Sequence, residues 1–170
     1  MKKIRALAAA VLITVIVFLF SSCSLNVAEP SVKEGRFNYT ITYEVDGELE
    51  TFSGVFVCKY AGIGHSLEGS YREWDSYFEE GQEKKKIKET EDGDIYIDLR
   101  FVPSYFMSDP SFEDQVVCGA EFYIEYNEQH NEEFGLFYSH DIEVVESYGV
   151  KLISSEIDPP IANEYKRFWE

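Results

Sequence analysis

The stretch RFNYTITYEVDG, residues 36–47, decides the fold. From Arg36 to Val45, apolar or aromatic residues alternate with polar ones, and successive side chains of a β-strand point to opposite faces. Asp46-Gly47 then supplies the two positions of positive φ that a tight hairpin turn requires. The stretch therefore predicts a half-buried strand that turns directly into a second strand.

The same turn determines which residues of the second strand share the apolar face. With Asp46-Gly47 as the whole loop, Val45 pairs with Glu48, and each further pair lies one residue farther from the turn. The second-strand residues expected on the apolar face of the first strand are Phe52, Gly54, Phe56 and Cys58. Cys58 is therefore predicted to point into the core.

Four further stretches are predicted to be strands, from alternation or from short apolar runs bounded by turn residues. They are residues 95–101, 116–126, 134–138 and 150–157. In the second of these, alternation puts Cys118 on the inner side. Before the first, the sequence EDG at 91–93 predicts a three-residue hairpin loop with a left-handed Gly, which sets Ile87 opposite Ile97.

Helical signals are concentrated in one stretch. Ser70 and Glu73 fit a capping box, aromatic residues recur at helical spacing, and Gly81 suits a C-terminal cap. We therefore expect a helix over 71–80 whose aromatic side faces the core. A second short helix, capped by Ser139, is predicted over 142–148, although alternation over these residues also fits a strand.

These elements predict the fold class. Aromatic residues make up 16% of the chain and favour β-strands. The expected fold is mainly β, an antiparallel β-sandwich with one or two short helices, in a single domain over residues 36–170. The sequence shows no internal repeat of fixed period.

The first residues have the layout of an export signal. Basic residues precede the run 6–20, in which Thr14 is the one polar residue. At ~1.5 Å per residue this run is about 22 Å long as a helix, short of a ~30 Å hydrocarbon core. Ser21-Ser22-Cys23 follows and resembles the lipobox of bacterial lipoproteins, with Phe20 where that motif usually has Leu.

The lipobox resemblance implies a domain organisation and a location. Residues 1–22 are expected to be a lipoprotein signal peptide, and Cys23 the lipid-bearing first residue of the mature chain. Residues 23–35 are then the lipid-attachment site and a tether, since they contain Pro30 and little periodicity. The protein is predicted to be anchored by lipid on the extracytoplasmic face of the cell membrane.

The charge of the chain argues against some partners. Residues 1–22 carry three of the 15 Lys and Arg and none of the 32 Asp and Glu, so residues 23–170 have a formal charge of −20. Nucleic acids and anionic headgroups are bound by clustered cations, so neither is an expected partner. The simplest interpretation of this acidity is solubility of an exported domain, which is expected to be a monomer.

Cys58 and Cys118 are the residues of greatest chemical interest. Both are predicted to face the core, and disulfides form in extracytoplasmic compartments. A bridge across about sixty residues would stabilise the fold by roughly 4 kcal/mol in the chain-entropy model. Two reduced thiols acting as small buried hydrophobes are the alternative.

No catalytic, metal or cofactor motif emerges from the remaining residues. The three His residues are scattered, and neither a zinc pattern nor a nucleophile elbow is present. Ser139-His140-Asp141 has the residue types of a catalytic triad, but triad members meet in space and are not sequence neighbours. The acidic residues that could hold calcium around a turn are Asp92, Asp94 and Asp98.

The stretch from Phe37 to Tyr60 resembles a group of small Gram-positive lipoproteins of unknown function. The matching segments are YEVDG at 43–47, VCKYAGIG at 57–64 and YGVKLIS at 148–154. The resemblance implies the location and no activity. We expect a non-enzymatic lipoprotein that binds or scaffolds an unknown protein or glycan partner, with a small cell-envelope enzyme or a calcium- or glycan-binding module as alternatives.

Overall fold

The computed structural model describes residues 27–67, 69–110, 119–135 and 137–166. Within these ranges the chain forms strands with three short helices. The strands are β1 (Glu29–Pro30), β2 (Glu34–Val45), β3 (Glu48–Ser66), β4 (Gly69–Glu80), β5 (Lys84–Glu89), β6 (Gly93–Arg100), β7 (Gly119–Tyr126), β8 (Tyr138–Ser139), β9 (Val150–Ile157) and β10 (Tyr165–Lys166). The helices are α1 (Pro103–Phe106), α2 (Glu128–Phe134) and α3 (Ile142–Ser147).

Two antiparallel sheets pack face to face. The first has the strand order β4-β3-β2-β9, and the second has the order β5-β6-β7-β8. A separate two-stranded pair joins β1 to β10. The predicted antiparallel β-sandwich is confirmed. None of the helices in the described ranges has the length and apolar composition of a membrane span.

The first hairpin forms with the predicted register. Val45 pairs with Glu48, and the pairing continues unbroken to Glu34 and Lys59. Asp46 and Gly47 have φ values of 53° and 87°, the left-handed conformations that the turn requires. The alternating aromatic face of β2 is buried as expected. A pattern within neighbouring residues therefore explains the pairing of β2 with β3.

The core consists of two adjoining clusters. The larger lies between the sheets, where Tyr39, Ile41 and Tyr43 of β2 pack with the inward residues of β6 and β7. The second cluster lies under α1. Its buried members are Phe37, Phe56, Cys58, Phe106 and Met107. The predicted inward orientation of Cys58 is confirmed, because its side chain is fully buried.

The predicted helix over 71–80 is wrong, because these residues belong to β4. Alternation across β4 turns Arg72, Trp74 and Phe78 inward, while Tyr71 and Tyr77 are exposed. The physical reason is pairing with β3, which runs from Ser66 and Gly69 to Val55 and Glu80 and satisfies backbone groups along the whole stretch. Aromatic residues at helical spacing are therefore also compatible with a β-strand when, as here, a long neighbouring strand pairs with it.

Two further local predictions need correction. Glu89 pairs with Asp94, and Gly93 begins β6 opposite Tyr126, so the loop before β6 is longer than three residues. Ile87 lies at a β-bulge, and Lys85 takes the position opposite Ile97. The loop closes through Thr90, whose hydroxyl donates to the carbonyl of Gly93 over 2.8 Å.

The region between β7 and β9 is more helical than predicted. Asn127 caps α2 by accepting a hydrogen bond from the His130 backbone, and Gly135 ends the helix in the left-handed conformation. The predicted strand over 134–138 is reduced to β8. The predicted second helix forms as α3, with Asp141 as its cap instead of Ser139.

Replacing Gly47 by Val is expected to lower the free energy of unfolding by about 1–3 kcal/mol, because a β-branched residue is strained at positive φ. No atom lies within 4 Å of a Cβ built at Gly47, so the loss would report backbone strain and not a clash. Gly47→Asn is the matched control, since Asn tolerates this conformation better. Equal urea-unfolding midpoints for the Val variant and the parent would contradict this account of the turn.

Candidate functional site

The outer face of the second sheet carries a distinctive set of aromatic and charged side chains, with two half-buried Tyr residues at its centre. Alternation in β6 buries Ile95 and Ile97 and turns Tyr96 outward. Tyr123 of β7 is the direct cross-strand partner of Tyr96, so both rings lie on the same outer face. Directly opposed aromatic residues interact across a sheet, and this pair forms the centre of the site.

A row of stacked groups extends across this face from β5 to β8. The Lys84 ammonium lies 3.8 Å from the centroid of the Tyr96 ring. The Tyr96 and Tyr123 rings stack with centroids 5.6 Å apart, and His140 packs on Tyr123 at 5.1 Å. Tyr138 completes the row by meeting His140 edge-on at 5.5 Å. Because Tyr96 and Tyr123 are covered by neighbours, their edges and hydroxyl groups are what they present to a ligand.

A cavity of about 310 Å³ lies beside this row. Its lining includes Glu89, Asp94, Tyr96, Glu125, Tyr126 and Asn127. Lys86 lies 2.7 Å from Asp94 and 3.2 Å from Glu89, and Lys84 lies 2.9 Å from Glu125. Three carboxylates therefore share two ammonium groups, which leaves the cavity rich in hydrogen-bonding groups and slightly acidic.

The protonation states of two groups in the row follow from their neighbours. Burial raises the pKa of Tyr96, and the Asp94 carboxylate raises it further. The pKa of Lys84 is raised chiefly by its hydrogen bond to Tyr123, with Glu125 adding to the effect. At neutral pH the site therefore offers a phenol hydroxyl and an ammonium as donors, and carboxylates as acceptors.

A second polar cluster links α2 and α3 to the loop before β6. Tyr148 donates its hydroxyl proton to the Asp92 carboxylate, and His130 stacks on Tyr126 with centroids 4.0 Å apart. Burial raises the pKa of Tyr148 to about 12, and the bond to Asp92 adds to this effect. Tyr148 is therefore a neutral donor at physiological pH. Its bond to Asp92 joins the end of α3 to the loop before β6.

Among the described residues, the most deeply buried ion pair lies elsewhere, beneath the first and last described segments. Arg72 of β4 donates to Asp109 over 2.8 Å, and the Trp74 indole donates to the other oxygen of the same carboxylate over 2.8 Å. Arg72 also donates to the Ala28 carbonyl at 2.7 Å, and its guanidinium lies 4.3 Å from the Tyr165 ring centroid. This cluster fastens both ends of the described chain to β4.

The residues proposed from sequence for calcium or catalysis are not brought together. Asp94 is paired with Lys86, and Asp98 lies four residues farther along the same strand, roughly 13 Å away. Asp141 caps α3, the Ser139 hydroxyl accepts from the Asp141 backbone N–H, and the His140 imidazole lies 3.3 Å from Glu121, so these three side chains do not form the hydrogen-bonded series of a triad. Within the described ranges, no three His, Cys, Asp or Glu residues are arranged to hold a metal ion.

Two sequence predictions involve cysteines outside the described residues. Cys23 lies before residue 27, the first described residue. Cys118 lies in the range 111–118, which the structure does not describe. The proposed bridge between Cys58 and Cys118 therefore stays a prediction. The bridge is tested by measuring the intact mass of the unfolded protein before and after reduction. Reduction of a bridge adds two hydrogens, so an unchanged mass would contradict the predicted bridge.

The main features of this face were missed from sequence, although part of the signal was present. Alternation marks Tyr96 and Tyr123 as outward residues, but the register between their strands is what sets them opposite each other. Arg72 was missed because it lies in the stretch predicted as a helix, and Asp109 was missed because it lies between two predicted strands, where the sequence predicts no element. Comparisons of the chain with protein-family models, with curated proteins and with solved structures find no match.

Proposed function

We propose that this chain is a lipid-anchored extracytoplasmic protein with a binding role, and that the outer face of the second sheet contacts its ligand. The observation that carries the binding role is the cavity beside Tyr96, where a phenol, an amide and carboxylates surround an open volume of about 310 Å³. The phenol can donate a hydrogen bond and the carboxylates can accept hydrogen bonds, which complements the hydroxyl or amino groups of a polar ligand. A cell-envelope saccharide is the ligand class that we favour.

The way the chain enters the domain supports display near a membrane. β1 is paired with β10, and Ser31 donates its backbone N–H to the Glu164 carbonyl over 2.8 Å. The expected tether is therefore shorter than residues 23–35, because its C-terminal half is part of the folded domain. Cys23 lies five residues before Ala28, and five residues of extended chain span at most about 18 Å.

Replacing Cys23 by Ser is expected to abolish lipid attachment, because the thiol is the acceptor in the proposed maturation. In cells fed labelled palmitate, the parent and the control Ser24→Ala should carry label, and Cys23→Ser should carry none. Intact mass should show cleavage before residue 23 in the labelled proteins. Label that persists in Cys23→Ser would contradict the proposed anchor.

Saccharide binding is tested with Tyr96→Ala against Tyr77→Ala, an exposed Tyr on the first sheet. Binding to an array of bacterial envelope saccharides should weaken by about tenfold or more in Tyr96→Ala, which corresponds to ~1.4 kcal/mol. Tyr77→Ala should bind like the parent. If the parent retains no saccharide, or if both variants lose binding equally, the proposed ligand site is wrong.

A further inference from the structure

Strand β4 is an edge strand whose backbone is open to a further partner. It lies at one end of the order β4-β3-β2-β9, and in the described part of the chain it pairs with β3 alone. In an antiparallel edge strand, alternate residues direct their N–H and C=O groups away from the sheet. The free side of β4 therefore presents hydrogen-bonding groups to which another extended chain can add as a strand.

The three other edge strands of the two large sheets have features that discourage strand addition. β5 carries Lys84, Lys86 and Lys88, and Ile87 forms a bulge in it. β8 consists of two residues, and β9 is interrupted by a bulge at Ile153. Lysines, bulges and short length are the usual ways in which proteins protect a sheet edge.

β4 has no such interruption over most of its length. From Gly69 to Phe78 its residues pair in succession with β3, and the bulge in this stretch falls at Ala61 of β3. A bulge in the neighbouring strand leaves the alternation of β4 itself intact. The edge of β4 is therefore a regular template for a further strand.

The exposed side chains of β4 leave this edge uncovered. Tyr71, Glu73 and Asp75 are exposed and alternate with the inward residues Arg72 and Trp74. A Cβ built on Gly64 of β3 would touch the side chains of both Tyr71 and Glu73. These two side chains therefore lie on one face of the sheet and lean over β3, away from the free side of β4.

A groove of about 440 Å³ follows the same edge. It is lined by residues 71–75 of β4 and by Pro103 and Ser104 of α1. Because residues from both faces of β4 line it, the groove runs along the strand edge and not over one face. Helix α1 forms its wall on the inner side, where the inward side chains of an added strand would lie.

The charge beside the groove is negative. The charge of Arg72 is compensated by Asp109 at 2.8 Å. Among the described residues, neither Glu73 nor Asp75 has a cationic group within 4 Å. Lys59 is the register partner of Asp75 on β3 and offsets part of the charge, but the sign stays negative.

This charge determines which strand fits the edge. In neighbouring antiparallel strands, directly opposed side chains lie about 4.5–5.5 Å apart, so opposite charges stabilise the pair and like charges destabilise it. Pairing of β4 with β4 of a second copy would bring Glu73 and Asp75 of the two copies together, without a free cation on this face of β4. A strand with basic residues at these positions is therefore favoured over a second copy.

We infer that the free edge of β4 binds an extended, basic segment of another protein as a fifth strand of the first sheet. The segment carries Lys or Arg opposite Glu73 and Asp75, and β-branched or aromatic residues opposite Tyr71 and Tyr77, which are 44% and 47% exposed. This surface is separate from the cavity beside Tyr96. The inference rests neither on the saccharide nor on the lipid anchor.

The probe is the synthetic peptide TVTKTKTVT, labelled with a fluorophore, and anisotropy measures its binding to the full chain. Its sequence reads the same in both directions, so it fits β4 in either orientation. The Val and Lys residues share one face of the extended peptide, and the Thr residues face α1. The control TVTETETVT should bind about tenfold or more weakly, because its carboxylates oppose those of β4.

A charge reversal in the protein locates the contact. The double variant Glu73→Lys, Asp75→Lys should bind the Lys peptide about fivefold or more weakly than the parent, and should bind the Glu peptide more tightly. The matched control is Glu48→Lys, Glu146→Lys, which changes the net charge equally at exposed positions on other elements. The control should bind both peptides like the parent.

Backbone methylation separates strand addition from charge attraction. Alternate residues of a strand direct their N–H groups to the same edge, so methylation of the Thr nitrogens and methylation of the Val and Lys nitrogens block opposite edges. An added strand pairs through one edge. One methylated peptide should therefore lose about tenfold or more in affinity, whereas the other should bind like the unmodified peptide.

The remaining outcomes overturn the inference. Equal affinity of the two methylated peptides would mean that charge attraction alone holds the probe. Equal affinity of the parent and the Glu73→Lys, Asp75→Lys variant would place the peptide elsewhere. An unchanged anisotropy at millimolar protein would mean that the edge accepts no strand of this kind. Dimers of the parent that the double variant does not form would assign the edge to a second copy.

Discussion

Replacing Asp109 by Ala is expected to lower the free energy of unfolding by about 3–5 kcal/mol, because it leaves the charge of a buried Arg without a partner. The side chains of Arg72 and Asp109 are only 7% and 1% exposed. The Trp74 indole would also lose its acceptor, which adds the cost of an unsatisfied buried donor. Urea unfolding measures the loss, and Asp75→Ala, a solvent-facing change on the same strand as Arg72, is the control.

A double variant separates the charge effect from general damage. In Arg72→Met with Asp109→Leu, both charges are absent, and replacing a buried ion pair by apolar groups is often neutral. The double variant should therefore be more stable than Asp109→Ala. If it is equally unstable, the links from Arg72 to Ala28 and Tyr165 contribute more than the ion pair, and the charge-based explanation is wrong.

Replacing Phe56 by Ala is expected to cost about 3–5 kcal/mol of unfolding free energy, as is typical when a buried ring is removed and a cavity remains. Phe56 is 2% exposed. Its ring centroid lies 4.9, 5.5 and 5.7 Å from those of Phe101, Phe78 and Phe106, respectively. The ring therefore joins the first sheet to the segment after β6 and to α1.

Phe137→Ala is the matched control for this change, because Phe137 is 68% exposed. Its urea-unfolding midpoint should stay within experimental error of the parent. A small loss in Phe56→Ala would mean that the surrounding aromatic side chains collapse into the space. In that case the cluster under α1 is a loosely packed layer and not a second part of the core.

The sequence predicts local structure well where one stretch contains all the necessary information. The first hairpin forms as expected because alternation and the Asp46-Gly47 turn lie within the same residues. The stretch 71–80 shows the limit of such arguments. Its aromatic spacing fits a helix, yet alternation also fits a strand, and the choice depends on the long partner strand β3.

The candidate site depends more strongly on contacts between distant residues. Tyr96 and Tyr123 each appear in the sequence as outward residues of a strand, but their stacking requires the β6–β7 register. Arg72 and Asp109 form an ion pair across 37 residues, and neither has a local signal of burial. The cavity beside Tyr96 likewise combines residues from two neighbouring strands and the loops that flank them.

The sequence by itself determined the class of fold, the first hairpin and its register, and the inward side of β2, β6 and β7, because side-chain alternation and turn conformation are properties of neighbouring residues. Only the tertiary structure decided that 71–80 is a strand, that Arg72 is buried against Asp109, and that a stacked row crosses the second sheet. These outcomes depend on which distant segments supply backbone partners, opposite charges and packing surfaces, and alternation within one segment carries no information about its partner.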